Sequence, residues 1–312
     1  IRGSRMNKLE KYLSNKWNVV LSAVCSIDIP VIHLDASVLN SLVRDDKSRK
    51  ITQWKDGSKN KPNLIQAETD LQPVFHPEVL NGLPGVRFNH NILPIPALDS
   101  NPLVEQSFSI AFIYQALEEN KTIFRASLRD NPNEFFQCTI TEGGVLNCSV
   151  KEDKLSIKGS LGKCHCVIIS ADHLTNTLTL YLDGKSYRKI SLSSQDVFAG
   201  LENFNLGQEV NGSNPFFGDL GEFIIYNSSL SVWQKQRLEN YLANKWNIDI
   251  TGVNYVEIPV LHLDAALQNS VLSDDGYVVK KGGRVLQWND QSPFALNALQ
   301  TNTYCKPDYV ID

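Results

Sequence analysis

The sequence has no apolar run long enough to cross a membrane: its longest, such as Cys166–Ser170 and Phe223–Tyr226, are strand-length, far from the roughly 20 residues a spanning helix needs. It has no cluster of Lys and Arg interleaved with aromatics, and 30 basic against 34 acidic residues leave a formal charge of −4. Nothing therefore supplies a footprint for phosphate, and nucleic acid is not an expected partner. No positively charged segment leading into an apolar stretch opens the chain. Its six cysteines, Cys25, Cys138, Cys148, Cys164, Cys166 and Cys305, do not amount to a disulfide framework in a chain long enough to fold without staples.

What is present is ordinary globular material, with 42% hydrophobic and 21% charged residues, too apolar for a disordered chain. The informative feature is a long internal repeat. LEKYLSNKWN (Leu9–Asn18) returns as LENYLANKWN (Leu238–Asn247), and IPVIHLDA (Ile29–Ala36) returns at the same offset as IPVLHLDA (Ile258–Ala265). Asp45 and Asp46 then meet Asp274 and Asp275. After a short insertion, TQWKD (Thr52–Asp56) meets LQWND (Leu286–Asp290), and NLIQ (Asn63–Gln66) meets NALQ (Asn297–Gln300). The repeat predicts a tandem array cut out of register. Residues 1–26 read as the tail of one unit, 27–250 as a complete unit and 251–312 as the head of a third. The head would hold early strands without their partners, open edges that invite pairing, and the helix at Leu9–Trp17 is the nearest element to complement it in trans.

Inside the complete unit the pattern is mostly strands. VIHLD places Ile32 and Leu34 on one face and Val31, His33 and Asp35 on the other. GVRFN, FSIAFIYQA, FFQCTI, VLNCSV, CHCVIIS, NFNLGQ and GDLGEFIIYN read the same way. LTLYLDGKSYRKISL carries Asp183-Gly184 between two strand-like runs, as a type I′ hairpin prefers. Many short strands punctuated by Gly, Pro and Asn predict an all-β fold, a two-sheet antiparallel jelly-roll sandwich. One helix closes it, with a capping box at Ser231 and Gln234 and an apolar stripe of Leu238, Tyr241, Leu242 and Trp246.

The succession HLDAS, TQWKDGS, NGLPGVRFN, LYLDGK, GDLGEFIIYNSSLS and RLENYLANKWNI resembles the bacterial and viral branch of the laminin-G-like, concanavalin A-like jelly rolls. That resemblance implies a non-enzymatic binding and adhesion repeat of a large protein on a cell or virion surface, extracellular, meeting glycan or surface protein through its loop rims. Its partners would also include other copies of the chain or repeat. The alternative is a structural spacer or assembly module of a fibre, filament or virion. A glycoside hydrolase of this fold is the remote alternative, because such enzymes present Glu-x-Asp-x-x-Glu along a strand. Glu68-Thr69-Asp70 comes nearest, and its third acid is missing.

The candidate ligand-binding residues are His33 and Asp35, which share a strand face and recur as His262 and Asp264, with Trp54 and Asp56, which recur as Trp288 and Asp290, and Arg87. The repeated set reads equally as a structural hydrogen-bond cluster at a sheet rim. Calcium is the one cofactor the resemblance offers, with Asp183 and Asp219 as metal candidates and Asp99, Asp130 and Asp172 as further oxygens. Cys164-His165-Cys166 cannot chelate as a unit in a strand, since the histidine faces away from the cysteines. Cys138 and Cys148 stand symmetrically about Glu142-Gly143-Gly144, so a three-residue turn would set them opposite each other. They form a disulfide if the protein is extracellular and paired thiols otherwise.

Overall fold

Strands make up most of the regular structure described between residues 30 and 250. The computed structural model describes residues 30–310 other than 39, 59–61, 97–106, 129–130, 132–134, 185, 194–197, 199–200, 209–212, 251–262, 264–269 and 291–296. The helix expected at Leu9–Trp17, with Cys25, Asp99, Asp130, His262 and Asp264, lies outside the described residues. The chain divides into two units, Ile27–Val253 and, separately, Ile1–Ser26 with Asn254–Asp312.

In the larger unit the first strands are β1 (Ile32–Asp35), β2 (Leu42–Arg44), β3 (Ile51–Trp54), β4 (Leu64–Ile65), β5 (Val74–Leu80), β6 (Leu83–Asn89) and β7 (Leu93–Ile95). Next come β8 (Phe108–Ala116), β9 (Lys121–Leu128), β10 (Phe135–Thr141), β11 (Val145–Val150), β12 (Asp153–Lys158) and β13 (Cys164–Asp172). β14 (Thr177–Leu182), β15 (Ser186–Ser191), β16 (Leu201–Leu206) and β17 (Phe217–Tyr226) complete the set, and α1 (Val232–Lys245) follows. An eight-stranded sheet runs β15-β14-β13-β8-β17-β6-β5, with β1 also paired to β17, and a six-stranded sheet runs β12-β11-β10-β9-β16-β7. All these pairings are antiparallel. Among its described residues the larger unit is thus mostly β, with one α-helix toward its end.

The core lies between the two sheets and is aromatic at its centre. Phe112 of β8 meets Phe124 of β9 edge to face at 5.9 Å and stacks on Phe223 of β17 at 5.8 Å. Phe136 of β10 and Phe204 of β16 close on Phe124 at 5.4 and 5.3 Å, the offset and tilted geometries that aromatic quadrupoles favour. Ile32 and Leu34 point into this core and His33 and Asp35 away from it, as the alternation of VIHLD requires.

Three expectations are corrected in detail. The β14–β15 hairpin closes at Leu182 and Ser186, a loop one residue longer than a two-residue turn. Asp183 and Gly184 both sit at left-handed φ, 52° and 62°. Tyr241 belongs to the flank of α1 rather than its buried stripe, at 43% exposed. Strands β2, β3, β4, β5, β7, β9 and β12 exist where polar residues, prolines or brevity hid the alternation.

The smaller unit contains a three-stranded sheet, β18 (Val271–Leu272), β19 (Gln287–Trp288) and β20 (Ala298–Leu299). Its register equals that of β2–β4 position for position: Leu42 faces Trp54 and Val271 faces Trp288, while Trp54 faces Leu64 and Trp288 faces Ala298. Asn63 Oδ1 accepts the Asp56 amide at 3.0 Å, and Asn297 Oδ1 accepts that of Asp290 at 3.0 Å.

α1 starts at a capping box in which Ser231 Oγ accepts the Gln234 amide and Gln234 Oε1 accepts that of Ser231. Its Leu238, Leu242 and Trp246 cover Leu80, Ala111, Ile113, Cys166, Ile168 and Ile224 on the outer face of the eight-stranded sheet. Gly221 of β17 makes room for the indole: a Cβ there would lie 2.6 Å from Trp246 Cη2 and 2.9 Å from Leu80 Cδ1. Gly221→Ala is therefore expected to destabilise the unit by about 1–3 kcal/mol through overpacking, read as a lower urea midpoint with an unchanged slope. An unchanged midpoint would show that the helix seat tolerates a methyl group.

Candidate functional site

The predicted ligand residues are distributed over three places. His33 and Asp35 join a buried polar network centred on Glu222 of β17, which is fully buried. Glu222 Oε1 takes His33 Nε2 at 2.7 Å and the Tyr241 hydroxyl at 3.1 Å. Its Oε2 accepts from Lys245 Nζ at 2.7 Å and Trp246 Nε1 at 2.8 Å. Lys245 Nζ also donates to Asp35 Oδ2, and Asp35 Oδ1 accepts the amide and hydroxyl of Ser37 at 2.9 and 2.7 Å. The His33 amide donates to Asp56 Oδ1 at 2.6 Å, so Asp56 is tied to the same strand. β1, β17 and α1 are thereby fastened at one point.

The ligand atoms of His33, Asp35 and Glu222 lie within 4.8 Å of one another, a spacing that suits a metal ion. Lys245 decides the chemistry instead: its ammonium bonds both carboxylates and supplies the positive charge between them. Burial alone would raise the Glu222 carboxyl, but the bond from His33 and the charge and bond of Lys245 outweigh it and hold the group below the usual range. For Lys245, burial works against the charge, and the Glu222 and Asp35 carboxylates overcome it, so the ammonium is held above the usual lysine range.

Trp54 is fully buried in the main core. Arg87 sits across the eight-stranded sheet, where Nε and Nη2 grip Asp219 Oδ1 and Oδ2 at 2.6 and 2.8 Å. Asp183 is engaged too: His165 Nδ1 meets Oδ2 at 2.7 Å and the Cys166 amide donates to Oδ1 at 2.8 Å. Asp183 and Asp219 do not fit a calcium site, since that ion needs six to eight free oxygens and each of these carboxylates has both oxygens bonded to protein donors. Glu68 caps a 3-10 turn and Asp70 lies within it, both exposed, so they share no strand. Cys138 and Cys148 are directly opposed across β10 and β11, about the turn at Glu142–Gly144, with their sulfurs 3.6 Å apart as thiols.

A feature that the sequence did not disclose is the outer face of the six-stranded sheet, opposite the core. Register places Pro94, Asn205, Arg125, Gln137, Ser149 and Lys154 in one row across all six strands. A neighbouring row holds Thr122, Thr139, Asn147 and Ser156, and on the other side stand Asn203, Ser127 and Phe135. The Arg125 guanidinium lies over the Phe135 ring at 3.8 Å and reaches Gln137 Oε1 at 3.5 Å. Asn147 donates to Thr141 Oγ1 at 2.6 Å and accepts from the Ser156 hydroxyl. Ser127 is 1% exposed, and its hydroxyl has no hydrogen-bond partner among the described residues. The signal was present in KTIFRASL and FFQCTI as polar residues at alternate positions, but their alignment into rows depends on strands far apart in the chain.

Replacing Lys245 with Met leaves Glu222 buried without its ammonium and is expected to cost about 3–5 kcal/mol at neutral pH. The stabilisation from Glu222 is complete above the unfolded carboxyl value, about 4.3, and is lost as pH falls through its lowered folded value. That from Lys245 is complete below about 10.4 and is lost as pH rises through its raised folded value. Urea unfolding of both proteins should show the gap narrowing in acid; a gap independent of pH would mean that packing, not charge, is what the lysine provides.

Residues 95–234 match the family described as the concanavalin A-like lectin/glucanases superfamily. Domain 4 of AbnA, an extracellular arabinanase of Geobacillus stearothermophilus solved with arabinotriose, is 18% identical over 67% of this chain and 98% of its own, with a TM-score of 0.47. The CBM40 module of a Ruminococcus gnavus sialidase, bound to α2,3 sialyllactose, is 17% identical over 45% of this chain and 83% of its own, at 0.39. A NanB sialidase from Streptococcus pneumoniae is 16% identical over 50% of this chain at 0.43, and the match spans 27% of the NanB chain. No curated protein sequence matches. The family match covers less than half of the chain and stands as a similarity of residues 95–234 to that superfamily.

Proposed function

We propose that this chain is a glycan-binding repeat that acts without hydrolysing its ligand, and that the ligand lies across the outer face of the six-stranded sheet. The observation that carries this reading is the in-register row Asn205, Arg125, Gln137, Ser149 and Lys154, in which Asn205 and Arg125 are buried and Gln137, Ser149 and Lys154 reach solvent. Amides and hydroxyls both donate and accept, which suits a sugar hydroxyl that does the same. A few placed polar groups on an otherwise rigid floor are what orient a bound small molecule. This moves the ligand from the loop rims expected of the sequence onto the sheet itself.

Hydrolysis of a glycosidic bond uses two facing carboxylates. The three rows carry Asn, Gln, Ser, Thr, Arg and Lys beside Pro94 and Phe135, and among the described residues in them there is no Asp or Glu. The sequence repeat supports a tandem array, and with a sugar ligand such an array fits the surface of a cell or virion, where weak sites gain by multiplicity. Two measurements bear on this. On a glycan array the intact chain is expected to retain neutral or acidic oligosaccharides, and Gln137→Ala to weaken them roughly tenfold, one hydrogen bond's worth, with thermal unfolding unchanged; equal retention by the variant removes the sheet face as the site. For the compartment, chain purified from its natural source is denatured and alkylated without reductant. Cys138 and Cys148 are expected to stay unmodified as a disulfide, and two alkylated thiols would count against an extracellular origin.

A further inference from the structure

α1 seals the middle of the outer face of the eight-stranded sheet but leaves its β14–β15 edge open. There Tyr181 and Tyr187 are cross-strand partners, and their rings stack with centroids 5.4 Å apart and planes at 27°. Tyr181 is half-buried, whereas Tyr187 is 53% exposed. From α1, Lys235 extends its ammonium to 5.1 Å from the centroid of the Tyr181 ring while only 9% exposed. Among the described residues that ammonium has no hydrogen-bond or ion-pair partner. Burial lowers its affinity for the proton, and the nearby charges act in both senses, Asp172 and Glu239 raising it and Lys189 lowering it.

A lysine this buried, with donors left idle beside a single aromatic ring, is only partly compensated by that ring. The arrangement asks for a ligand with two properties. It needs a flat apolar face to lie on the exposed tyrosine and an anionic oxygen to accept from the lysine. A neutral sugar leaves the ammonium unmatched, and a simple carboxylate ion leaves the ring bare. We propose that the stacked Tyr181–Tyr187 pair and Lys235 form a second sugar site, on the opposite sheet from the first, for a glycan bearing a carboxylate, in which the pyranose lies on Tyr187 and its carboxylate bonds Lys235. Glu239 and Asp172 disfavour a polyanion and restrict the ligand to an isolated acid group.

Calorimetry with the full chain tests this, using glucuronosyl-xylotriose and 3′-sialyllactose, each with a single carboxylate and each beside its neutral counterpart with the carboxyl reduced to the alcohol. At least one acidic probe is expected to bind roughly tenfold more tightly than its neutral form. Tyr187→Ala, a change at an exposed ring, should weaken it by a similar factor. Lys235→Met should erase the preference for the acid, and Lys235→Arg should restore it. Gln137→Ala, which disables the other face, should leave all of this unchanged. The proposal is overturned by absence of binding to both acidic probes, by equal affinity for acid and alcohol, by indifference to Tyr187→Ala, or by loss of binding in Gln137→Ala, which would return the acid to the six-stranded sheet.

Discussion

A carboxylate with no exposure to water governs how this unit closes. Glu222 must have its charge compensated where it stands, and the chain meets that demand with four donors from two distant segments: His33 from the opening strand, and Tyr241, Lys245 and Trp246 from the closing helix. Each donor then constrains its own neighbourhood. The indole needs a bare backbone beneath it, so β17 has Gly221 next to the acid. Lys245 needs a second anion, so the opening strand carries Asp35, whose other oxygen turns the chain at Ser37. The helix is seated by apolar contact, but its angle and depth on the sheet are set by polar bonds.

The two outer faces of the sandwich consequently have different fates. The face that bears Glu222 is apolar in the middle and covered by α1, and its β14–β15 edge is left with exposed side chains such as Tyr187. The face of the six-stranded sheet carries polar side chains in every row and belongs to the sheet that α1 does not cover; Thr122, Ser127 and Asn147 in it are buried, and Gln137, Ser149 and Lys154 meet solvent. One sheet is thus spent on holding the unit together, and the other keeps a polar face that reaches solvent toward β10–β12. This division explains why residues that look like a site in the sequence can turn out to be fasteners.

Alternation alone revealed the long inner strands: FSIAFIYQA is β8 residue for residue, and VLNCSV is β11. It also gave the face assignment of VIHLD, the capping box and the opposition of Cys138 to Cys148, because each of these depends on a few consecutive residues. β9 was hidden since Thr122, Arg125 and Ser127 read as loop residues, and β5 since Pro77 interrupts it where its register with β6 shifts. The polar row was illegible for a different reason. Arg125 meets Gln137 across a nearby strand but Asn205 only across a distant one, and no local pattern encodes which strands become neighbours. His33 and Asp35 were visible as a pair, yet their partners Glu222 and Lys245 look like solvent-facing charges until the helix is laid on the sheet.

The matching registers of β2–β4 and β18–β20 show that these short sheets are written by nearby residues. The fastening at Glu222 is the reverse case, spanning 189 residues to His33 and, through Lys245, 210 residues to Asp35. Contacts that remote form late, after loop closure over most of the chain. On a ribosome, the opening strand of such a unit therefore waits, unpaired and adhesive, for nearly the whole time of its synthesis. In a chain of several units, the period of greatest exposure to mispairing with a neighbour's strand ends when the last turn of the closing helix emerges.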